Sequence, residues 1–125
     1  MGREVPFYPG RAPIESYGNN GFRFAGMSHR GSLLCLPSGI MAWEAARFED
    51  LNLQAFSHVL AERREIGLLL LGTGASLRHP SLEVRTAFAE AGVGLEPMDT
   101  GAACRTYNVL LAEGRPVAAA LIAVE

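Results

Sequence analysis

Long apolar runs alternate with amphipathic stretches through the second half of the chain. Residues 66–71 are apolar at almost every position, which is typical of a strand covered on both faces in a parallel sheet. Residues 117–124 form another apolar run, and the shorter segment 95–98 lies between the two. All three segments are therefore predicted to be strands.

Three stretches flanking these strands repeat apolar residues at helical spacing. In residues 53–64, apolar side chains fall on one face and polar side chains on the other. A second helix is predicted from about residue 80, where proline suits a first turn, to Gly92. A third is predicted over 102–113, with Gly114 as its C-terminal cap. Alternating strands and helices with short connections imply helices that cover a largely parallel central sheet.

The first half of the chain is divided by turn residues. Residues 22–25 alternate as a half-buried strand should, and residues 32–36 form a second strand that Pro37 ends. The turn residues at 28–31 predict that these two strands pair as an antiparallel hairpin. Residues 40–43 are too short an apolar run to distinguish strand from helix. The expected fold class is α/β with a mixed central sheet, in which an opening antiparallel hairpin precedes β/α alternation.

Length and composition indicate a single domain. The chain has 125 residues, of which 49% are hydrophobic, enough to build one core. Three prolines and a glycine between positions 6 and 13 predict an N-terminal arm over 1–15, followed by one α/β domain over 16–125. No apolar run approaches the roughly 20 residues that cross a bilayer, and the first residues lack the features of a secretory signal. A cytoplasmic location without membrane insertion is therefore expected.

Charged and metal-binding side chains are sparse. Charged residues make up 19% of the chain, and the formal net charge is -2, so no nucleic-acid partner is expected. The histidines at positions 29, 58 and 79 have no ligand spacing, so neither a metal nor another cofactor is expected. Cys35 and Cys104 are interpreted as reduced core residues.

Two polar loops form the best candidate for a ligand site. Loops that leave the carboxyl ends of parallel strands meet along one edge of a sheet and commonly bind ligands. Loop 72–79 follows the strand at 66–71, and loop 99–105 leads from the strand at 95–98 into the third helix. A helix N-terminus and two arginines would suit an anionic group. The candidate cleft residues are Gly72, Thr73, Gly74, Arg78, Asp99, Thr100 and Arg105.

Structural alternatives exist for the members of this cleft. Asp99 and Thr100 immediately precede a helix, where a side-chain oxygen can cap free backbone amides and stabilise the helix by about 1 kcal/mol. Asp99 also places negative charge at the positive end of the helix, where it would compete with an anionic ligand. Arg105 can pair with Asp99 and close the cleft. No nucleophile beside a base is recognisable, so no catalytic residue is assigned and a non-enzymatic role is favoured.

Met41, Trp43 and Phe48 cluster in an irregular stretch of the sequence. Aromatic residues and methionine are enriched at protein interfaces, so the three form a candidate partner-binding patch. The alternative is that they fill one end of the core. A protein partner is expected, and a homo-oligomer with a structural role is a further alternative.

Short motifs spread along the chain are together specific for one family. They are Gly21-Phe22, residues 31–34, Leu36-Pro37, Trp43, and residues 71–74, 98–100, 103–108, 113–115 and 118–122. From about residue 14 to residue 124, the sequence thereby resembles the small domain-of-unknown-function family that includes mitochondrial complex I assembly factor three.

This resemblance implies a three-layer α/β domain with a mixed central sheet. It also implies a protein-interaction or assembly role, and it carries over no catalytic residue because the family has none agreed. The alternative function is a small-molecule or anion-binding domain, with or without catalysis, whose cleft is formed by loops 72–79 and 99–105.

Overall fold

The computed structural model describes residues 7–125, which form two β-sheets and three α-helices. The strands are β1 Phe7–Pro9, β2 Ile14–Gly18, β3 Gly21–Phe24, β4 Met27–Arg30, β5 Leu33–Leu36, β6 Gly39–Ala42, β7 Leu68–Gly72, β8 Gly94–Met98 and β9 Val117–Leu121. The helices are α1 Ser57–Ala61, α2 Leu82–Ala91 and α3 Thr100–Ala112. A six-stranded sheet has the order β1-β6-β5-β9-β7-β8, and β2, β3 and β4 form a separate antiparallel sheet.

The apolar runs lie at the centre of the larger sheet. Strand β7 pairs in parallel with β8 and β9, whereas β5 pairs antiparallel with β9, so the sheet is mixed. Leu69 packs on one face in a cluster with Phe56 and Phe88, and Leu70 packs on the opposite face in a cluster with Tyr107. Because both faces are covered, the central strands carry no polar side chains. The predicted three-layer α/β fold is confirmed.

Helix α2 begins and ends where its capping residues indicate. The hydroxyl of Ser81 accepts a hydrogen bond from the amide of Val84 at the start of α2, and Gly92 ends that helix with φ of 75°. The helix predicted over 53–64 is instead a 3-10 turn, the short helix α1 and a second 3-10 turn. Its buried face is as predicted, since Phe56 and Val59 are fully buried. 3-10 turns are frequent at the ends of α-helices, and here one precedes α1 and another follows it.

Strands β3 and β5 are both present, but the predicted pairing between them is wrong. Strand β3 pairs with β2 and β4 in the smaller sheet, whereas β5 pairs with β6 and β9 in the larger one. The hairpin turns are two residues long, at Asn19-Asn20 and Ala25-Gly26, and all four residues have positive φ. The segment 28–31, predicted to be a turn, therefore lies largely within β4. Residues 40–43, for which the sequence allowed strand or helix, lie mostly in β6.

Part of the predicted N-terminal arm joins the larger sheet. Residues 1–6 lie outside the described residues, but Phe7–Pro9 form β1, which pairs antiparallel with β6. This proline-rich segment can pair with β6 because proline is tolerated on an edge strand. Strand β2 begins at Ile14, within the predicted arm. The division of the chain into an arm and a domain stays a prediction.

Candidate functional site

The loops that follow β7 and β8 lie side by side at one edge of the larger sheet, as the parallel topology predicts. The amide of Thr73 donates to the carbonyl of Met98 at 2.8 Å, and the amide of Thr100 donates to the carbonyl of Gly74 at 2.9 Å. The predicted cleft residues that the structure brings together here are Gly72, Thr73, Gly74, Asp99 and Thr100.

Thr100 joins three elements through one buried hydroxyl. Its side chain is fully buried, and Oγ1 donates to the carbonyl of Ile122 at 2.7 Å while accepting from the amide of Gly74 at 3.1 Å. A Cβ on Gly72 would lie 3.0 Å from this oxygen, so glycine permits the close approach of β7 to α3. The hydroxyl therefore ties the ends of β7 and β9 to the start of α3.

Thr73 closes its own loop. Its side chain is 3% exposed, and Oγ1 lies 2.7 Å from the carbonyl of Ser76 and 3.0 Å from that of Met98. The same oxygen accepts a hydrogen bond from the amide of Arg78 at 3.0 Å. A hydroxyl has one proton to share between the two carbonyls, so the hydrogen-bonding capacity of Thr73 is used within the chain.

Asp99 has the capping geometry that the sequence allowed as an alternative. Its Oδ1 accepts a hydrogen bond from the amide of Ala102 at 2.9 Å, at the N-cap position of α3. Arg105 does not pair with Asp99; its guanidinium donates to the hydroxyl of Tyr17 at 3.3 Å. The carboxylate therefore serves the helix and does not close the cleft through Arg105.

Arg78 points away from the other candidate residues. Its guanidinium donates to the carboxylate of Glu49 at 2.8 Å and lies 4.3 Å from the centre of the Phe48 ring. The hydrogen bond from Arg78 lowers the pKa of the Glu49 carboxyl. Arg78 and Arg105 thus contact different parts of the chain, and the pair of arginines predicted for an anion is not assembled.

An open pocket of about 470 Å³ remains at this edge. It is lined by Tyr17, Gly74, Ala75, Asp99, Gly101 and residues 123–125. Of the predicted cleft residues, Gly74 and Asp99 contribute to this lining. The carboxylates of Asp99 and Glu125 make the pocket better suited to a neutral or cationic group than to an anion.

Tyr17 is the residue at this edge that the sequence analysis misses. It comes from the smaller sheet and contacts the first turn of α3, where a Cβ on Gly101 would collide with the Tyr17 ring and hydroxyl. Gly101 lies just before the helix predicted over 102–113 but within the first turn of the observed helix α3, where a glycine permits such a close approach. The identity of the approaching residue has no local signal.

Trp43 belongs to the core, in agreement with the second interpretation of its cluster. Its side chain is 7% exposed, Nε1 donates to the carbonyl of Ala55 at 2.8 Å, and its ring packs 5.7 Å from that of Phe56. Met41 and Phe48 are partly buried and pack against the same cluster. A partner-binding role for Met41 and Phe48 stays a prediction.

The nucleophilic side chains of the core are poorly placed for chemistry. Cys35 and Cys104 are buried free thiols, and burial raises the pKa of Cys35 and raises that of Cys104 to about 12. Burial also raises the pKa of Tyr107, whose hydroxyl has no hydrogen-bond partner among residues 7–125. Within the same residues, no group of three or more His, Cys, Asp or Glu side chains is arranged to hold a metal ion.

No α-helix in the described part of the chain has the length and apolar character needed to cross a bilayer.

The similarity to known proteins covers nearly the whole chain. An uncharacterised protein of Rhodobacter capsulatus is 40% identical over 122 residues, which cover 98% of this chain and 93% of that protein. A crystal structure described as that of an outer membrane protein from Bartonella henselae is 51% identical, with a TM-score of 0.91, and the match covers 94% of this chain and 99% of that one.

A eukaryotic relative has a named role. NADH dehydrogenase (ubiquinone) 1 alpha subcomplex assembly factor 3 of Xenopus tropicalis is 36% identical over 111 residues, which cover 87% of this chain. The chain spans 60% of the length of that assembly factor. The sequence profile of the family described as "Protein of unknown function (DUF498/DUF598)" matches residues 14–122. This chain is therefore a member of the DUF498/DUF598 family.

Proposed function

We propose that this chain is a non-enzymatic protein-interaction domain that assists the assembly of a multisubunit NADH dehydrogenase. The observation that carries the proposal is the internal use of polar groups at the edge where α/β domains commonly bind ligands. Thr73, Asp99 and Thr100 each direct side-chain oxygens to backbone groups of their own chain. These hydrogen bonds commit the three side chains to the fold of residues 7–125, which supports a role in protein contacts over a role in catalysis.

The relatives supply the partner class in this proposal. The assembly factor of Xenopus tropicalis is similar over 87% of this chain, so the shared region is the domain itself and not an appended segment. Its name associates it with the assembly of NADH dehydrogenase. We extend that association to this chain, with subunits or assembly intermediates of the enzyme as the proposed partners.

Deletion of the gene in its host tests this proposal. Loss of the protein should lower the amount of fully assembled NADH dehydrogenase on native gels and leave partial complexes, and the wild-type gene should restore assembly. Succinate dehydrogenase, measured on the same membranes, controls for general respiratory damage. Normal assembly in the deletion strain would refute the proposal.

The open pocket beside Asp99 favours a second candidate function, the binding of a small molecule. Tyr17 and Asp99 line this pocket, and Arg105 donates a hydrogen bond to the Tyr17 hydroxyl. Thermal-shift measurements across a panel of metabolites and simple ions test it, with Arg105→Ala as the variant and Arg64→Ala as the matched control. If no ligand raises the melting temperature of the wild-type protein, the small-molecule function is refuted.

A further inference from the structure

The smaller sheet turns one face away from the core. Phe22 and Phe24 are buried, and because side chains alternate along a strand, Arg23 between them points outward. Arg23 pairs with Ser28 on the neighbouring strand, and Arg30 lies two residues beyond Ser28 on the same face. The two arginines are therefore diagonal neighbours on adjacent strands, at the separation that long side chains can bridge.

Two glycines leave space beside these arginines. Gly18, Gly21 and Arg30 form one cross-strand row, so two of the three positions have no side chain. The result is an open depression of about 390 Å³ on the sheet. We call this surface the outer face; its residues are Ser16, Gly18, Gly21, Arg23, Ser28 and Arg30.

The outer face has positive charge without an acidic partner in the described structure. In residues 7–125, the ion pairs involve other arginines, and the Arg23 guanidinium donates to the Ser28 hydroxyl at 2.6 Å. Residues 7–31 contain three arginines and a single carboxylate, Glu15, which accepts a hydrogen bond from the amide of Gly26. This region is positive on a chain whose formal net charge is -2.

Strand β4 is an open edge of the smaller sheet. Within the described residues it pairs with β3 alone. In an antiparallel pair, successive residues alternate between bonding to the partner strand and facing away from it. The two-residue turn at Ala25-Gly26 makes Phe24 and Met27 a bonded pair, so the backbone groups of Ser28 and Arg30 face the open edge.

The opposite side of β4 borders an apolar groove. This groove, of about 110 Å³, lies between β4 and the β1–β6 edge of the larger sheet. Phe7 is 54% exposed and Met27 is 42% exposed at this site, and Ile40 and Met41 also line it. A strand added beside β4 would thus have arginines on one side and apolar side chains on the other.

We propose that β4 binds an extended segment of a protein partner in which acidic and apolar residues alternate. The backbone of the segment would pair with Ser28 and Arg30, as in other complexes formed by strand addition. Its carboxylates would meet the guanidinium groups of Arg23 and Arg30, whose planar donors match a carboxylate. Its apolar side chains would enter the groove beside Met27. The inference rests on the proposed function, because it assigns the surface through which the protein contact is made.

A labelled synthetic peptide provides the direct test. The probe is an eight-residue peptide of alternating Glu and Val, and fluorescence anisotropy with the full chain measures its affinity. Each exposed arginine should raise the affinity for the peptide about two- to fivefold. The double variant Arg23→Gln with Arg30→Gln should therefore bind about tenfold more weakly, and added salt should weaken binding of the wild type as well. Arg64→Gln, outside the smaller sheet, should leave the affinity unchanged.

Three comparisons separate strand pairing from general attraction of charge. A peptide of alternating Lys and Val should bind far more weakly, and so should a peptide with four Glu followed by four Val. Ser28→Pro removes an edge amide and should abolish binding, whereas Ser28→Ala should retain it. Circular dichroism and thermal melting must show that each variant is folded. Equal binding of either control peptide or of single-stranded DNA, or full binding by the folded double-arginine variant, would overturn the proposal.

Complementation distinguishes failure of this inference from failure of the proposed function. If the double-arginine variant restores NADH dehydrogenase assembly as well as the wild type does, the outer face is not the contact although the assembly role stands. If deletion itself leaves assembly intact, the assembly role fails whatever the peptide binds. The expected result is a folded double-arginine variant that binds the peptide about tenfold more weakly than the wild type and restores less NADH dehydrogenase assembly.

Discussion

Replacing Thr100 with valine removes a fully buried hydroxyl while nearly preserving side-chain shape. The change leaves the amide of Gly74 without its acceptor and the carbonyl of Ile122 without its hydroxyl donor. A buried polar group left unsatisfied costs about 1–3 kcal/mol. Gly74 is partly exposed, so water can replace some of its lost bond. We therefore expect Thr100→Val to lower the free energy of unfolding by about 2–4 kcal/mol.

Urea unfolding followed by circular dichroism measures this loss. For a small domain whose free energy of unfolding falls by about 1–3 kcal/mol per molar urea, the midpoint should decrease by about 1–2 M with an unchanged slope. Thr100→Ser keeps the hydroxyl and should recover most of the stability. Thr86→Val, at an exposed position of α2, should change stability by about 0.5 kcal/mol or less. If Thr100→Val and Thr86→Val unfold at the same midpoint, the hydroxyl does not join the three elements as argued.

Three further predictions concern the core and the helix cap. Trp43→Ala should destabilise the domain by about 3–5 kcal/mol in thermal or urea unfolding, because a core aromatic ring is lost; a change below about 1 kcal/mol would indicate a surface residue. Asp99→Ala should cost about 0.5–2 kcal/mol by the same assay, whereas Asp99→Asn should retain most of the capping energy, and equal losses would exclude the cap. Cys35 and Cys104 should resist iodoacetamide at pH 8 in the folded protein and react after denaturation, because burial raises the pKa of both thiols; mass spectrometry showing rapid native labelling would contradict this.

The elements of the second half of the chain are predictable because local and tertiary requirements agree there. The apolar runs of β7 and β9 and the capping residues of α2 and α3 each indicate the structure that forms. The first half is less predictable because an alternating strand such as β3 fits either sheet. Its actual partners follow from positive φ at the two-residue turns. Asparagine favours this conformation, so the turn at Asn19-Asn20 has a local signal, whereas Ala25 has none.

The candidate site is predictable in its placement and not in its hydrogen bonding. Parallel strands bring the loops after β7 and β8 together whatever their side chains are. The direction of each polar group depends on residues far away in the chain. Thr100 bonds to a carbonyl 22 positions on, Arg78 bonds to a carboxylate 29 positions back, and Arg105 bonds to a hydroxyl 88 positions back. The sequence near each residue does not reveal these distant partners. Sequence reasoning therefore predicts a cleft with unpaired arginines, although both arginines are hydrogen-bonded in the structure.

The two borders of the six-stranded sheet share a chemical feature. Pro9 ends β1 and Pro97 lies in β8, and these strands are the outermost members of that sheet in the described chain. A proline has no amide hydrogen to donate to an added strand. Edge-to-edge pairing of the larger sheet with strands of neighbouring molecules is therefore disfavoured at both of its borders. Strand β4 contains no proline. Addition of a strand is therefore disfavoured at both borders of the larger sheet, whereas β4 in the smaller sheet keeps its edge amides available.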